Sequence, residues 1–423
     1  MSEKNLNVFF DFGSSKIRLG IYDKKISKNI ITSEKECVSN FSLKNFDIKN
    51  SNEVIKDLIK SAEKKINNHI TKVNLMIDTP DMFSIDISIK KISDNKPYIK
   101  NDIKSLLNEA KGLVQKNYFN KKIIHMIIKK FFFDEKEFFE IPDKEINYNS
   151  LIIELKFICF DNQIWKNLQE SFNSNYLNIE SLYCSSFVRS SNYNLFFNDF
   201  NKKVILDIGY GKSSITVFQD NRILYFNILP VGGRHITNDI SVLLKISKEE
   251  AENLKKNLNQ SETVFKNKMD NVKKVESLDL PNQIIFARVD EIIKLNLDDE
   301  YFNAFFKNKD SCVLIFIGEG SKILNKNSIY LEEKFDFFSE ISFFEENTNI
   351  ICDSGFNFNQ LDKSQEVNFL PKKPKNKGFF EKFFHLFNWY LYFLVTFLVF
   401  FKLIKHVFLL HVSLKSKNIE KRS

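Results

Sequence analysis

The sequence predicts an α/β fold of two related lobes, with a small insert in the first lobe and an apolar tail at the end. Three observations carry this. The stretch Val204 to Phe218, VILDIGYGKSSITVF, is an apolar strand that ends in Asp-x-Gly-x-Gly and runs at once into a second β-patterned run. Val8 to Tyr22, VFFDFGSSKIRLGIY, repeats the arrangement, with Asp11 matching Asp207 and Gly13 matching Gly209, and such self-similarity marks a duplicated unit. Elsewhere in the body, helical and strand-like periods follow one another.

Each of the two stretches reads as a β-hairpin that grips phosphate. A buried strand delivers Asp11 or Asp207 to its edge, and the glycines permit a close backbone approach in which main-chain N–H groups face an anion. Ser14, Ser15, Ser213 and Ser214 add hydroxyl donors, Lys16 and Lys212 add cations, and the carboxylates would serve a metal ion. Two such loops facing each other could clamp one polyphosphate. Ordinary hairpins with glycine turns are the plainer alternative. The run Gly211-Lys212-Ser213 is not a Walker A loop, because that motif needs a Gly where Leu206 stands.

On these residues the chain resembles the actin/Hsp70/hexokinase superfamily of ATP-binding proteins, Asp11 to Lys16 looking like its first phosphate loop and Asp207 to Ser213 like its second. Within it, Pro230-Val231-Gly232-Gly233-Arg234-His235 through Ile240, followed by Ala251-Glu252-Asn253-Leu254-Lys255, resembles the bacterial cell-division protein FtsA. The resemblance implies a two-lobed, actin-like ATPase fold of duplicated RNase H-like domains, ATP as ligand, and Mg2+ held through water by Asp11 and Asp207. It assigns Gly13, Ser14, Ser15, Lys16, Gly209, Gly211, Lys212 and Ser213 to the phosphates. Glu252 and Lys255 would lie near the ribose, and Gly318, Glu319, Gly320 and Ser321 at the adenine. Glu319 departs from the small residues that loop normally carries. A solvated i,i+3 ion pair is the simpler reading of Glu252 and Lys255.

The elements follow in order. Residues 1–81 make the first part of lobe I, where Val54, Ile55, Leu58, Ile59, Ala62 and Ile66 share a helical face and Val73 to Ile77 is a buried strand. Residues 82–160 form the insert, with strands at Phe83 to Ile89, Ile123 to Phe132 and Leu151 to Phe160 around a helix from Asn101 to Gln115. The resemblance makes this insert a surface for self-association. Lobe I continues over 161–203, where by the resemblance Ile179 to Asn192 matches the first connecting helix of the family, which often supplies a polar residue to orient the attacking water. No Gln, Asp or Glu follows Glu180 within that segment, so the resemblance implies at most slow hydrolysis. Residues 204–358 form lobe II and the return to lobe I. Ser247-Lys248-Glu249-Glu250 has the spacing of a capping box, Lys255 to Lys274 reads as an exposed connection, and Leu280 to Leu297 is a helix.

Hydrophobic residues make up 43% of the chain and aromatics 14%, enough for real cores and against global disorder. The net charge of +8 resides almost wholly in the tail beyond Pro371. That argues against a nucleic-acid groove on the body and for an anionic membrane surface. The 5 cysteines show no paired spacing, which fits a reducing compartment, and no protein-only metal pattern is visible among Cys and His.

A basic, Pro-containing linker over 359–377 leads to the tail, 378–423. Phe379, Phe380, Phe383, Phe384 and Phe387, then Trp389, form an apolar face of a membrane-binding helix. Phe383 to Phe401 carries no Asp, Glu, Lys or Arg, and at about 1.5 Å per residue it approaches the ~30 Å bilayer core. The tail either lies in the interface or spans. The resulting expectation is an FtsA-like, ATP-binding scaffold on the cytoplasmic face of the bacterial inner membrane at the division site. It would tether an FtsZ-like filament protein, recruit other divisome proteins and self-associate into filaments. A PilM-like pilus-assembly adaptor is the runner-up, and a small-molecule kinase of the same superfamily ranks third.

Overall fold

The computed structural model describes residues 6–37, 48–97, 100–142, 147–260, 280–297, 312–325 and 338–360. Two five-stranded sheets have the same construction. In the first, β1 (Leu6–Phe12), β2 (Lys16–Asp23) and β3 (Lys28–Glu36) form an antiparallel meander. Then β4 (Lys72–Ile77) and β9 (Asn178–Cys184) add in parallel beyond β1, giving the order β3-β2-β1-β4-β9. In the second, β10 (Lys202–Ile208), β11 (Ser213–Gln219) and β12 (Arg222–Leu229) make the meander, and β13 (Cys312–Ile317) and β14 (Glu340–Phe343) the parallel extension, ordered β12-β11-β10-β13-β14. The third sheet, β5-β8-β6-β7, pairs β5 (Phe83–Pro97), β6 (Lys121–Phe133), β7 (Lys136–Phe138) and β8 (Asn147–Asp161) antiparallel throughout.

The central strands are buried along their length apart from Lys202 at the start of β10, which is why they read as near-continuous apolar runs rather than alternating ones. Helices cover them. On α1 (Ile48–Ile66), Ile55, Leu58, Ile59 and Ala62 recur at helical spacing and join Phe9, Phe10, Leu75 and Phe172 in one core. The last described helix, α8 (Thr348–Gln360), closes that core by stacking Phe356 on Tyr22 with ring centroids 4.4 Å apart. The core of the second sheet receives Ile284, Ile285, Val289, Ile292 and Ile293 from α7 (Leu280–Leu297) and Ile236 and Ile240 from α5 (Gly233–Leu244). In the third sheet the helix α2 (Lys100–Asn117) contributes Ile103, Leu106, Ala110 and Val114 to a separate core.

Local signals account for several boundaries. The Asp161 carboxylate accepts from the backbone N–H of Gln163 at 2.8 Å and starts α3 (Asn162–Ser174). Ser247 and Glu250 form their reciprocal cap ahead of α6 (Lys248–Gln260), Ser247 N donating to Glu250 at 2.9 Å and Glu250 N to the Ser247 hydroxyl at 3.2 Å.

The structure differs from the sequence reading at Ile179 to Asn192. Residues through Cys184 are strand β9, and only Ser185–Tyr193 form the helix, α4. The first half pairs in parallel with β4, so sheet pairing overrides a short apolar stretch whose period cannot tell strand from helix. Lys255 to Gln260 continues α6 rather than forming a loose connection. Cys184 gives α4 no side-chain cap; the Asp78 carboxylate accepts from the Ser186 N–H at 2.9 Å, and the Cys184 N–H donates to Nε2 of the fully buried His125 on β6, at 2.8 Å.

Among the described residues no helix is long and apolar enough to cross a membrane. The tail, including Phe379, Phe380, Phe383, Phe384, Phe387 and Trp389, lies outside the described residues.

Candidate functional site

The two meanders present equivalent hairpins to one cleft. Gly13 N donates to Lys16 O at 3.0 Å and Gly209 N to Lys212 O at 2.9 Å, so both turns close in the same way and leave Asp11 and Asp207 at matching strand ends. The loops nearly touch: a Cβ placed on Gly211 would come 3.0 Å from the Ser14 hydroxyl. Gly232 is wedged equally tightly, since its Cβ would meet Gly209 O at 2.6 Å and Lys212 N at 2.7 Å. This explains a Gly at the turn into α5. Gly318, after β13, has φ of 90°, a region that L side chains rarely enter, and its N–H donates to Glu346 at 2.9 Å.

The cleft wall contains Asp11, Gly13, Ser14, Ser15, Asp207, Gly209, Lys212, Gly318, Glu319 and Ser321 from the sequence reading. Other expected residues face elsewhere. Lys16 pairs with Glu34 on β3 at 3.0 Å. The Ser213 hydroxyl accepts from Asn296 of α7 at 2.9 Å, because the pleat turns the first residue of β11 into the second core. Gly211 and Gly320 are not among the wall residues. Glu252 and Lys255 are not a solvated pair: Lys255 is buried, bonds Glu252 at 2.6 Å, the Thr237 hydroxyl at 2.8 Å and Gly233 O at 3.1 Å, and sits 5.7 Å from the Tyr210 ring. They tie α6 to α5 behind the second loop. The Glu319 side chain is half exposed and paired with Lys322 at 2.9 Å, so it turns outward rather than across the loop.

Among the wall residues that were not sequence candidates are Arg18, Asp78, Ser185, Arg189, Tyr210 and Glu346. Arg18 stands opposite Asp11 in the hairpin register and donates to it at 2.9 Å, while the Ser185 hydroxyl donates to the other Asp11 oxygen at 2.6 Å. Asp207 is engaged through one oxygen by the Arg189 guanidinium and by Lys212 at 3.3 Å. Arg189 also grips Glu346 at 2.7 and 2.8 Å, and Lys212 reaches Asp78 at 2.8 Å. The Ser186 hydroxyl lies 2.8 Å from Asp78 and 3.0 Å from Asp207, able to donate to one at a time.

These are buried charges, and their titration follows the pairing. Burial opposes the charged form of Arg189, but Asp207 and Glu346 outweigh it and hold the guanidinium pKa well above its ordinary value. Burial likewise opposes the ammonium of Lys212 and the carboxylate of Asp78. Asp78 and Asp207 carry the Lys212 pKa upward, and Lys212 carries the Asp78 pKa downward.

Magnesium does not fit the donors present. Both oxygens of Asp11 are bonded, and one oxygen of Asp207 is shared by two cations. Its other oxygen, without a partner among the described residues, abuts Gly318, whose Cβ would come within 2.4 Å. Among the described residues no group of three His, Cys, Asp or Glu could hold a metal ion.

Two sheets of one topology, each offering an acid-tipped hairpin to a shared cleft, define an actin-like ATPase fold. A solved PilM-PilN type IV pilus biogenesis complex shares that fold with a TM-score of 0.56 at 12% identity, over 83% of this chain and 95% of that one. Within the class the chain resembles FtsA. The family model described as Cell division protein FtsA matches residues 204–336. Cell division protein FtsA of Bacillus subtilis (strain 168) is 35% identical over 100 residues, 22% of this chain and 23% of that protein. Its counterpart in Buchnera aphidicola subsp. Baizongia pistaciae (strain Bp) is 25% identical over 287 residues, 65% of this chain and 66% of that protein. The chain thus spans under two thirds of the length of either relative.

Proposed function

We propose that the protein is an FtsA-like scaffold of bacterial cell division, using nucleotide in the cleft as a switch rather than as fuel. The observation that carries this is the FtsA match over residues 204–336, which begins in β10 and takes in the second loop, Gly232-Gly233 and the Gly318 to Ser321 segment, and so includes the wall residues Asp207, Gly209, Lys212 and Gly318. The paired hairpins support polyphosphate as the ligand, and the connecting helix supports slow turnover, because its one charged side chain, Arg189, is held by Asp207 and Glu346. In this reading the body binds an FtsZ-like filament protein and other divisome components, the third sheet serves self-association, and the tail holds inner-membrane lipid at the division site. The PilM-like adaptor stays second: its support is a likeness of fold at 12% identity.

The decisive measurement is co-sedimentation of the full chain with FtsZ filaments and with anionic vesicles. Pelleting with both is expected. Full-length protein that remains in the supernatant with filaments present would remove the division role.

A further inference from the structure

We propose that this cleft binds nucleotide phosphates without a divalent cation, its metal positions being taken by Arg18, Arg189 and Lys212. The inference rests on the nucleotide reading above and narrows it. The three cations converge from separate elements, β2, α4 and the turn after β10, and each is less than a tenth exposed. They neutralise the same two carboxylates a hydrated metal would use: Arg18 bonds Asp11, and Arg189 and Lys212 share one oxygen of Asp207.

They also do the joining that a metal would do. Lys212, on the second hairpin, reaches Asp78 at the end of β4, and Arg189, on α4, links Asp207 to Glu346 beyond β14. A fixed guanidinium with several donors suits phosphate oxygens as well as carboxylates, so an entering phosphate can take over bonds these side chains already make. Gly13, Ser14, Ser15 and Gly209 line the same wall, and Lys322 adds a cation there.

Charge sets the choice of ligand. Asp11, Asp78, Asp207, Glu319, Glu345 and Glu346 share the wall with Arg18, Arg189, Lys212 and Lys322, leaving two carboxylates in surplus. ADP, with one negative charge fewer than ATP, is therefore the better probe.

The test is equilibrium binding of ADP to the full chain in magnesium and in EDTA. The two Kd values are expected to agree within about threefold. A loss of about tenfold or more in EDTA would overturn the inference while leaving the nucleotide site intact. Absence of ADP and ATP binding in both buffers would instead remove the nucleotide reading itself, and the inference with it. Arg189→Ser frees Asp207 and is expected to create a magnesium requirement, whereas Arg189→Lys keeps the cation and the EDTA tolerance. Circular dichroism checks that both variants fold. A folded Arg189→Ser protein that still binds ADP equally in both buffers would count against the assignment.

Discussion

The two hairpins share a turn and a strand order, yet they neutralise their aspartates by different routes. Asp11 finds its cation directly across its own hairpin, at Arg18, within a few residues of sequence. Asp207 has Ser214 at the equivalent position and draws Arg189 from the connecting helix. The first loop therefore finds its one cation within its own hairpin, whereas the second has Lys212 at 3.3 Å and gains Arg189 only when α4 has docked. Duplicated geometry does not entail duplicated energetics.

Breaking the comparison at its costlier end should give the largest effect. Arg189→Ala leaves Asp207 short of its main cation and Glu346 without its bidentate partner, and removing one member of a buried pair costs about 3–5 kcal/mol. Arg18→Ala should cost less, because Asp11 keeps the Ser185 hydroxyl and Glu34 is partly exposed. Urea unfolding of the two variants measures the difference; equal losses would mean the halves do not differ as described.

Acid should act next in size, through Asp78. Burial opposes its carboxylate, but Lys212 holds the folded pKa below the ordinary value of 3.8, so the group stabilises the fold above that value and the stability is lost as pH falls below 3.8 through the folded pKa. Asp78→Asn should flatten this part of the stability curve in an acid titration followed by circular dichroism. An unchanged slope would show that Lys212 is satisfied by Asp207 alone.

The smallest effect is expected at Lys16. Its pairing with Glu34 is partly solvated, and such pairs contribute about 0–1 kcal/mol. Lys16→Ala should therefore leave nucleotide affinity and stability close to those of the parent, whereas Lys212→Ala should not. A large loss of affinity at Lys16 would return that side chain to the phosphates.

What the sequence made legible was local. A strand ending in Asp-x-Gly declares itself within a dozen residues, and so do the capping box at Ser247 and the apolar period of α7. Arg18 was passed over although the hairpin carries the signal for it, since closing the turn between Gly13 and Lys16 puts residue 18 opposite residue 11. Asp78 was passed over as well, although it directly follows the buried strand β4. Glu346 and Arg189 were not legible, because their meaning depends on which distant carboxylate or cation the fold brings near. Ser213 and Lys16 had fitting chemistry but the wrong facing, a property of the pleat and of a neighbouring strand, β3, that no motif records.

One hydrogen bond described above has mechanical consequences. His125 belongs to the third sheet, while the N–H it accepts from opens the helix that carries Arg189. Its ring is also packed 4.8 Å from that of Phe187, one turn into the same helix. A pull on the third sheet is thus delivered to the first turn of α4 and from there to the guanidinium between Asp207 and Glu346. The cleft is geared to a sheet that takes no part in its wall.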